Sequence, residues 1–465
     1  MKKQKRQFGL GAKFFLGLLM LLILGILGFL LVLDLNHIKI APGGSSASNY
    51  AKVESNESSV LSHAGAESNK SLVFPTMKLY LNGITIGELK ASEKSIKYSD
   101  NYLALITDSG VRLFADVEVK TRGNSTWGLP KAPYQIKFTK KTHLLGLGEV
   151  KEWILLANYV DDSNLRNDVA YKLAAMLGEK YAVRGDFVRL FINNQYEGLY
   201  YLTNKIEIAK GAVDLRAPDG VLMEIDNLHR ATEKCINTEA GVCLVLKDTV
   251  AKDDEVIAEA VQQFVDIYSE FEKAVRAKDY DKVAELVDVE SFAEYFLVNE
   301  FAVNPDAYSS SFFLYRDGKD DKIHAGPVWD FDYAFANRQW VWHTDERIFS
   351  PYEMMALLER AMLEEGEKGD SSGLGVALEI YYLMEMPEFR DEVRRVFQTK
   401  LSGRAEELLD FIRMRAKLIE DEALVDAETW DLGDFVAETE YLIDWVRERY
   451  KMFEWEYGKS PLGGA

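Results

Sequence analysis

From Phe74 to about Phe138 apolar and polar residues alternate in short runs, MKLYLNG, SIKYS, YLALITDSG, FADVEVKTRGN and YQIKF, broken by Gly, Asn and Asp-Ser. Period-two alternation with that punctuation predicts an antiparallel β region. EWILLANYV reads as a buried strand, and DSNLRNDVAYKLAAMLG as a helix capped by Asp162 or Ser163 and ended by Gly178. FVRLFINNQYEGLYYLT has the pattern of a hairpin turning at Asn193-Asn194, and VLMEID is one more strand. Beyond Asp253 the spacing changes to that of helices, in DEVIAEAVQQFVDIYSEFEKAV and VESFAEYFLVNEFAV, and again from Tyr352 to Tyr457. One β-hairpin interrupts them. The expectation is a β-rich half followed by a mostly helical half.

The first forty residues break this pattern. Lys2, Lys3, Lys5, Arg6 and Lys13 precede Phe14 to Leu33, a run without a charge. At 1.5 Å per residue that run would span about 30 Å, the thickness of a bilayer core. No small-residue cleavage site follows it, so the sequence predicts a retained single-pass anchor. The basic tail, residues 1–13, would stay in the cytoplasm and the rest would lie outside the cell membrane. Residues 34–72 are rich in Ser, Ala, Gly and Asn and read as a flexible tether to a domain at 73–460.

Composition narrows the partners. A formal net charge of -20 and a pI near 4.9 argue against nucleic acid, whose backbone requires clustered Lys and Arg. The two cysteines, Cys235 and Cys243, bracket Asn-Thr-Glu-Ala-Gly, where a turn would bring them opposite each other. Two free thiols and a disulfide both fit, and an oxidising compartment favours the disulfide. Two cysteines alone do not make a zinc site.

Candidate chemistry sits in the interrupting hairpin, NPDAYSSSFFLYRDGKDDKIHAGPVWDFD. Ser311 to Arg316 reads as one strand, Asp317 to Asp321 as the turn, and Lys322 to Trp329 as the return strand. Folding back the two arms brings Asp306, Asp330 and Asp332 to the open end. Residues two apart on an extended segment share a side, so Asp330 and Asp332 can face one cation. Hard carboxylate oxygens suit Mg²⁺ or Mn²⁺. A solvated hairpin end is the plain alternative.

A second constellation is KTRGNSTWGLPKAPYQIKF, in which Arg122 and Lys131 bracket Gly123-Asn124-Ser125-Thr126. Backbone N–H groups of such a loop can cradle an anion. Lys137, on the following strand, has the place of a strand lysine that pairs with phosphates. A strand-turn-strand with outward charges is the alternative.

In order along the chain, RGNSTW, ILLANYVDDSNLRN, NNQYEGLYYLTNKIEI, LMEID and GPVWDFD resemble the CotH family of spore-coat kinases, from about Phe74 to Phe335. The resemblance implies an atypical kinase-like bilobal α+β fold, with a β-rich N-lobe at about 73–250 and a helical C-lobe at about 251–460. It also implies ATP- and Mg²⁺-dependent phosphorylation of exported or cell-surface proteins. Asp306 would be the catalytic acid, and Asp330 the metal ligand with Asp332 beside it. Trp329 would lie against the nucleotide base, with Arg122 and Lys137 on the phosphates. The chain lacks GxGxxG, H-R-D and D-F-G, which excludes an ordinary protein kinase. Leu202-Thr203-Asn204-Lys205 replaces the Leu-Thr-Glu-Gln of many relatives, and Ser311 stands where ordinary kinases place a second metal ligand, an Asn. An envelope-binding module that kept the fold without the reaction is the other reading.

Overall fold

The computed structural model describes residues 73–458, apart from 125, 227–233, 309 and 338–377. The alternating segments form β1 (Thr76–Tyr80), β2 (Tyr98–Thr107), β3 (Gly110–Thr121), β4 (Tyr134–His143), β5 (Glu149–Leu156), β6 (Gly185–Ile192) and β7 (Gln195–Asn204). They close into a barrel in the order β1-β2-β3-β4-β5-β7-β6. Every neighbouring pair is antiparallel except β1 and β6, whose parallel pairing seals it, Thr76 opposite Arg189 and Leu79 opposite Ile192. Alternate residues turn inward to fill it, among them Met77, Leu103, Val117, Val119, Ile136 and Trp153, all buried. Asn193 and Asn194, both at positive φ, make the tight β6–β7 turn. A short helix, α1 (Ile86–Ala91), starts with a capping box between Thr85 and Glu88.

A second sheet follows, of β8 (Val221–Ile225), β9 (Ile236–Asn237), β10 (Cys243–Thr249), β11 (Phe312–Arg316) and β12 (His324–Ala325), in the order β12-β11-β8-β10-β9. At its edge Cys235 is bonded to Cys243 across a Cα–Cα distance of 5.2 Å. The helices are α2 (Arg166–Leu177), α3 (Asp254–Ala277), α4 (Tyr280–Leu286), α5 (Val289–Ala302), α6 (Glu379–Glu385), α7 (Pro387–Lys400), α8 (Ala405–Trp430) and α9 (Phe435–Glu456). Nearly every residue of α5 is buried, which explains why its sequence lacks a polar face. One large core joins α2, the second sheet and the C-terminal helices.

The expected fold is corrected in several respects. The expected antiparallel β region closes into a barrel through one parallel pair, because β1 finds a partner in β6 that local alternation does not specify. Helix α2 and strands β8 and β10 lie within the expected N-lobe, about 73–250, but pack into the helical core. The N-cap of α2 is Leu165, not Asp162 or Ser163, and Asp161 accepts from Arg166 N at 2.9 Å. The return strand of the hairpin is two residues long and gives way to a cis Gly326-Pro327 bond. Among the described residues no helix is long and apolar enough to cross a membrane. The expected span, Phe14 to Leu33, lies outside the described residues. The transmembrane element of the fold and the single-pass placement in the cell membrane therefore find no support in the structure.

Candidate active site

A cavity of 290 Å³ opens between the barrel wall and the second sheet. Its roof comes from the outer face of the barrel, with Arg122 just past β3, Gln135 on β4 and Lys205 just past β7. Its floor comes from the hairpin and the turn after α5. Of the residues expected at a nucleotide or metal site, Arg122, Asp306, Trp329, Asp330 and Asp332 line this cavity, and Lys137 does not.

Asparagines hold the acidic end together. Asn304, in the turn after α5, accepts from Asp306 N at 3.2 Å and donates to Asp330 O at 3.4 Å, tying the two arms of the hairpin. Asn167, buried on α2, donates its amide to the Asp332 carboxylate and accepts from Phe331 N at 2.9 Å. Asn337 donates to Asp332 O at 2.7 Å and to Val160 O at 2.6 Å. Upstream, Glu179 Oε1 accepts from Val328 N at 2.9 Å, and the same carboxyl oxygen lies where a side chain on Gly326 would go. Asp330 itself has φ 70, so the DFD segment is a turn and not the extended strand end expected. Its two acids line the same cavity nevertheless.

Electrostatics couples these groups. Burial raises the Asp332 carboxyl to about 7, the Asp330 charge pushes it the same way, and the Asn167 hydrogen bond opposes them. Arg122 lies over the Trp329 ring at 5.7 Å from its centroid. Burial works against its charge, and Asp330 and Asp332 are among the groups that sustain it. Trp329 is also stacked on Tyr171 of α2, ring centroids 6.0 Å apart. Among the described residues no three His, Cys, Asp or Glu side chains converge as a ready-made metal cage. Mg²⁺ takes one or two carboxylates and leaves its remaining positions to water and substrate phosphates, so Asp330 and Asp332 are the residues that would hold it. Two mutually repelling carboxylates, Asp330 exposed to the cavity and Asp332 part-buried with its proton held to about pH 7, are a donor pair that a cation would relieve.

Lys137 is drawn elsewhere. Its ammonium meets Glu152 Oε1 at 2.8 Å, and Lys205 meets Oε2 of the same carboxylate at 2.9 Å. Burial pushes the Glu152 carboxyl up, but the hydrogen bonds from Lys137 and Lys205 outweigh it and hold it at about 2. Lys205 lines the cavity, so the lysine that departs from the Leu-Thr-Glu-Gln pattern is the one that reaches it. Glu224 and Asp226 of the LMEID strand also line it, with Lys247 paired to Glu224. Sequence reasoning quoted NLRND and LMEID without assigning Asn167 or Glu224 a place. Spacing showed neither the hydrogen bond from α2 nor the sheet register that sets Glu224 opposite Phe313.

With this geometry in view, the comparisons are informative at the level of family. The family described as CotH kinase protein matches residues 119–453. A search of the curated proteins finds no match. Among solved structures, the crystal structure of a Helicobacter pylori proinflammatory kinase, CtkA, matches at 7% identity with a TM-score of 0.22, covering 69% of this chain and 95% of that one. The family match spans well over half of the sequence and takes in β4 to β12 and every helix from α2 to α8: the chain belongs to the CotH kinase family.

Proposed function

We propose that this chain transfers the γ-phosphoryl group of ATP to a hydroxyl of a protein acceptor, using a divalent cation. The observation that carries the reading is the meeting of Asp306, Asp330, Asp332, Arg122 and Trp329 in one cavity, from segments separated by barrel, sheet and helices. Asp330 and Asp332 would hold the cation, which when bound supplies positive charge against the phosphate oxygens. Arg122 donates a planar fork of N–H groups to phosphate, a geometry that suits bidentate contact. Trp329 offers its ring to the nucleotide base. Asp306 accepts a hydrogen bond from the acceptor hydroxyl and orients it for attack on the γ-phosphorus, while the ADP oxygen leaves on the opposite side. Asn304 and Asn167 keep the acids in place, so little reorganisation is needed at the moment of transfer.

The test is incubation of the protein with γ-labelled ATP and Mg²⁺ or Mn²⁺. Incorporation of label into the chain itself or into a general protein acceptor supports the reading. Intact, folded protein that binds ATP with cation but transfers no label to any acceptor tried would favour a binding module on the same fold.

A further inference from the structure

Lys137 was the strand lysine expected on phosphate, yet Glu152 engages it and it lies outside the cavity, whereas Lys205, paired to the same carboxylate, lines the cavity. The cavity roof holds another candidate. β3 presents Glu118, Lys120 and Arg122 on its partly exposed face, and the register sets Glu118 opposite Lys137 and Lys120 opposite Gln135. Gln135 and Arg122 line the cavity, and Lys120, itself outside the lining, lies opposite Gln135 and two residues before Arg122 on the same strand. The neighbouring charges are already partnered, Glu118 with Lys97 at 3.3 Å and Lys205 with Glu152 at 2.9 Å. Lys120 is different. Among the described residues its ammonium makes no hydrogen bond and no ion pair, although the side chain is half-buried. Burial first, then the charges of Lys97, Lys205 and Arg122, push its pKa down, with Glu152 opposing. Lys97, Lys205 and Arg122 thus act on Lys120 as like charges, with Glu118 and Glu152 pairing the first two.

An unpartnered, half-buried cation among like charges is relieved by an anion of several charges strung along the same edge. A chain of linked phosphates has that form, and Arg122 at one end supplies the fork that a phosphate takes. We infer that Lys120, with Arg122 and Lys205, forms a polyphosphate-binding edge of the cavity and takes the place that the sequence pattern gave to Lys137. The identity of the anion as a nucleotide rests on the kinase reading; the anion site does not.

The experiment titrates the full chain with ATP, with adenosine and with inorganic tripolyphosphate, by calorimetry, for wild type, Lys120→Gln, Lys120→Arg and Lys137→Gln. Lys120→Gln should weaken ATP and tripolyphosphate about tenfold and leave adenosine unchanged, while Lys120→Arg recovers most of the loss. Lys137→Gln should change each by less than about threefold. Wild-type affinity for both anions in Lys120→Gln, or an equal loss for adenosine, would overturn the assignment. Loss in Lys137→Gln alone would overturn it while leaving the kinase reading intact. Tripolyphosphate bound through Lys120 by a protein that ignores ATP would uphold the anion site and remove the nucleotide.

Discussion

Asn167 and Asp332 lie 165 positions apart in the chain and are joined by a hydrogen bond from the asparagine amide to the carboxylate. The other end of that amide accepts from Phe331 N at 2.9 Å, so a single side chain on α2 fixes both the acid and the backbone that presents it. Asn167 is 1% exposed, and its bond from Phe331 N is buried from water. Asn167→Ala should therefore cost about 1–3 kcal/mol of stability, the usual penalty for stranding buried polar groups. It should also lower phosphoryl transfer by at least about tenfold and raise the cation concentration needed for half-maximal activity. Chemical denaturation and a metal titration measure the two effects. A variant that loses stability but keeps its metal dependence would make Asn167 a structural residue only.

Arg166, the neighbouring residue, is fully buried between Asp161 and Glu438, with Nη2 at 2.6 Å from Glu438 and Nε donating to Ala334 O at 3.0 Å. It bridges the start of α2, the first turn of α9 and the turn that follows Asp332. Arg166→Met leaves two buried carboxylates without their cation and should destabilise the protein by about 3–5 kcal/mol. Urea denaturation checks this. A loss below about 1 kcal/mol would mean that water reaches the pair in solution.

The pH dependence of stability should carry the mark of Glu179. Its carboxyl is pushed up to about 8 from an ordinary 4.5 by burial, against the Val328 N–H bond and with the Glu294 charge adding to the rise. Oε2 has no hydrogen-bond partner among the described residues. Between pH 4.5 and about 8 the folded chain holds a proton that the unfolded chain has released. Stability from this group is therefore lost as pH rises through that window, and it levels off above it. Glu179→Gln should flatten this part of the profile and raise the relative stability at pH 8.5. Denaturation midpoints at pH 5.5, 7 and 8.5 test it, and parallel profiles for the two proteins would contradict it.

These residues mark where the sequence could be read and where it could not. Alternation predicted most barrel strands, since each inward residue such as Val117 or Ile136 leaves its own periodic trace. Closure of the barrel left none, because the parallel match of β1 to β6 is a choice between partners more than a hundred residues apart. The hairpin argument predicted that Asp306, Asp330 and Asp332 meet, and they line one cavity, because folding back a short segment is local geometry. The sequence placed Lys137 on the strand after the loop as a lysine for phosphates, yet it carried no information that Glu152 lies opposite on β5. The same blindness hid Lys120, whose meaning depends on having no partner. Asn167 and Asn304 were invisible as site residues, since an asparagine's role is set by what it is folded against.

The most direct test of the account contrasts two neighbouring acids under one assay. Asp330→Asn and Asp306→Asn each remove one negative charge from the cavity at nearly constant volume. If Asp330 holds the cation and Asp306 orients the acceptor hydroxyl, both variants should lose label transfer from γ-labelled ATP by about a hundredfold or more. Only Asp330→Asn should also lose cation-dependent ATP binding, and Asp306→Asn should bind the ATP–cation pair like wild type. Thermal melts establish that both are folded. Wild-type label transfer by folded Asp330→Asn protein would contradict the proposed chemistry and leave GPVWDFD as a turn that packs a cavity wall.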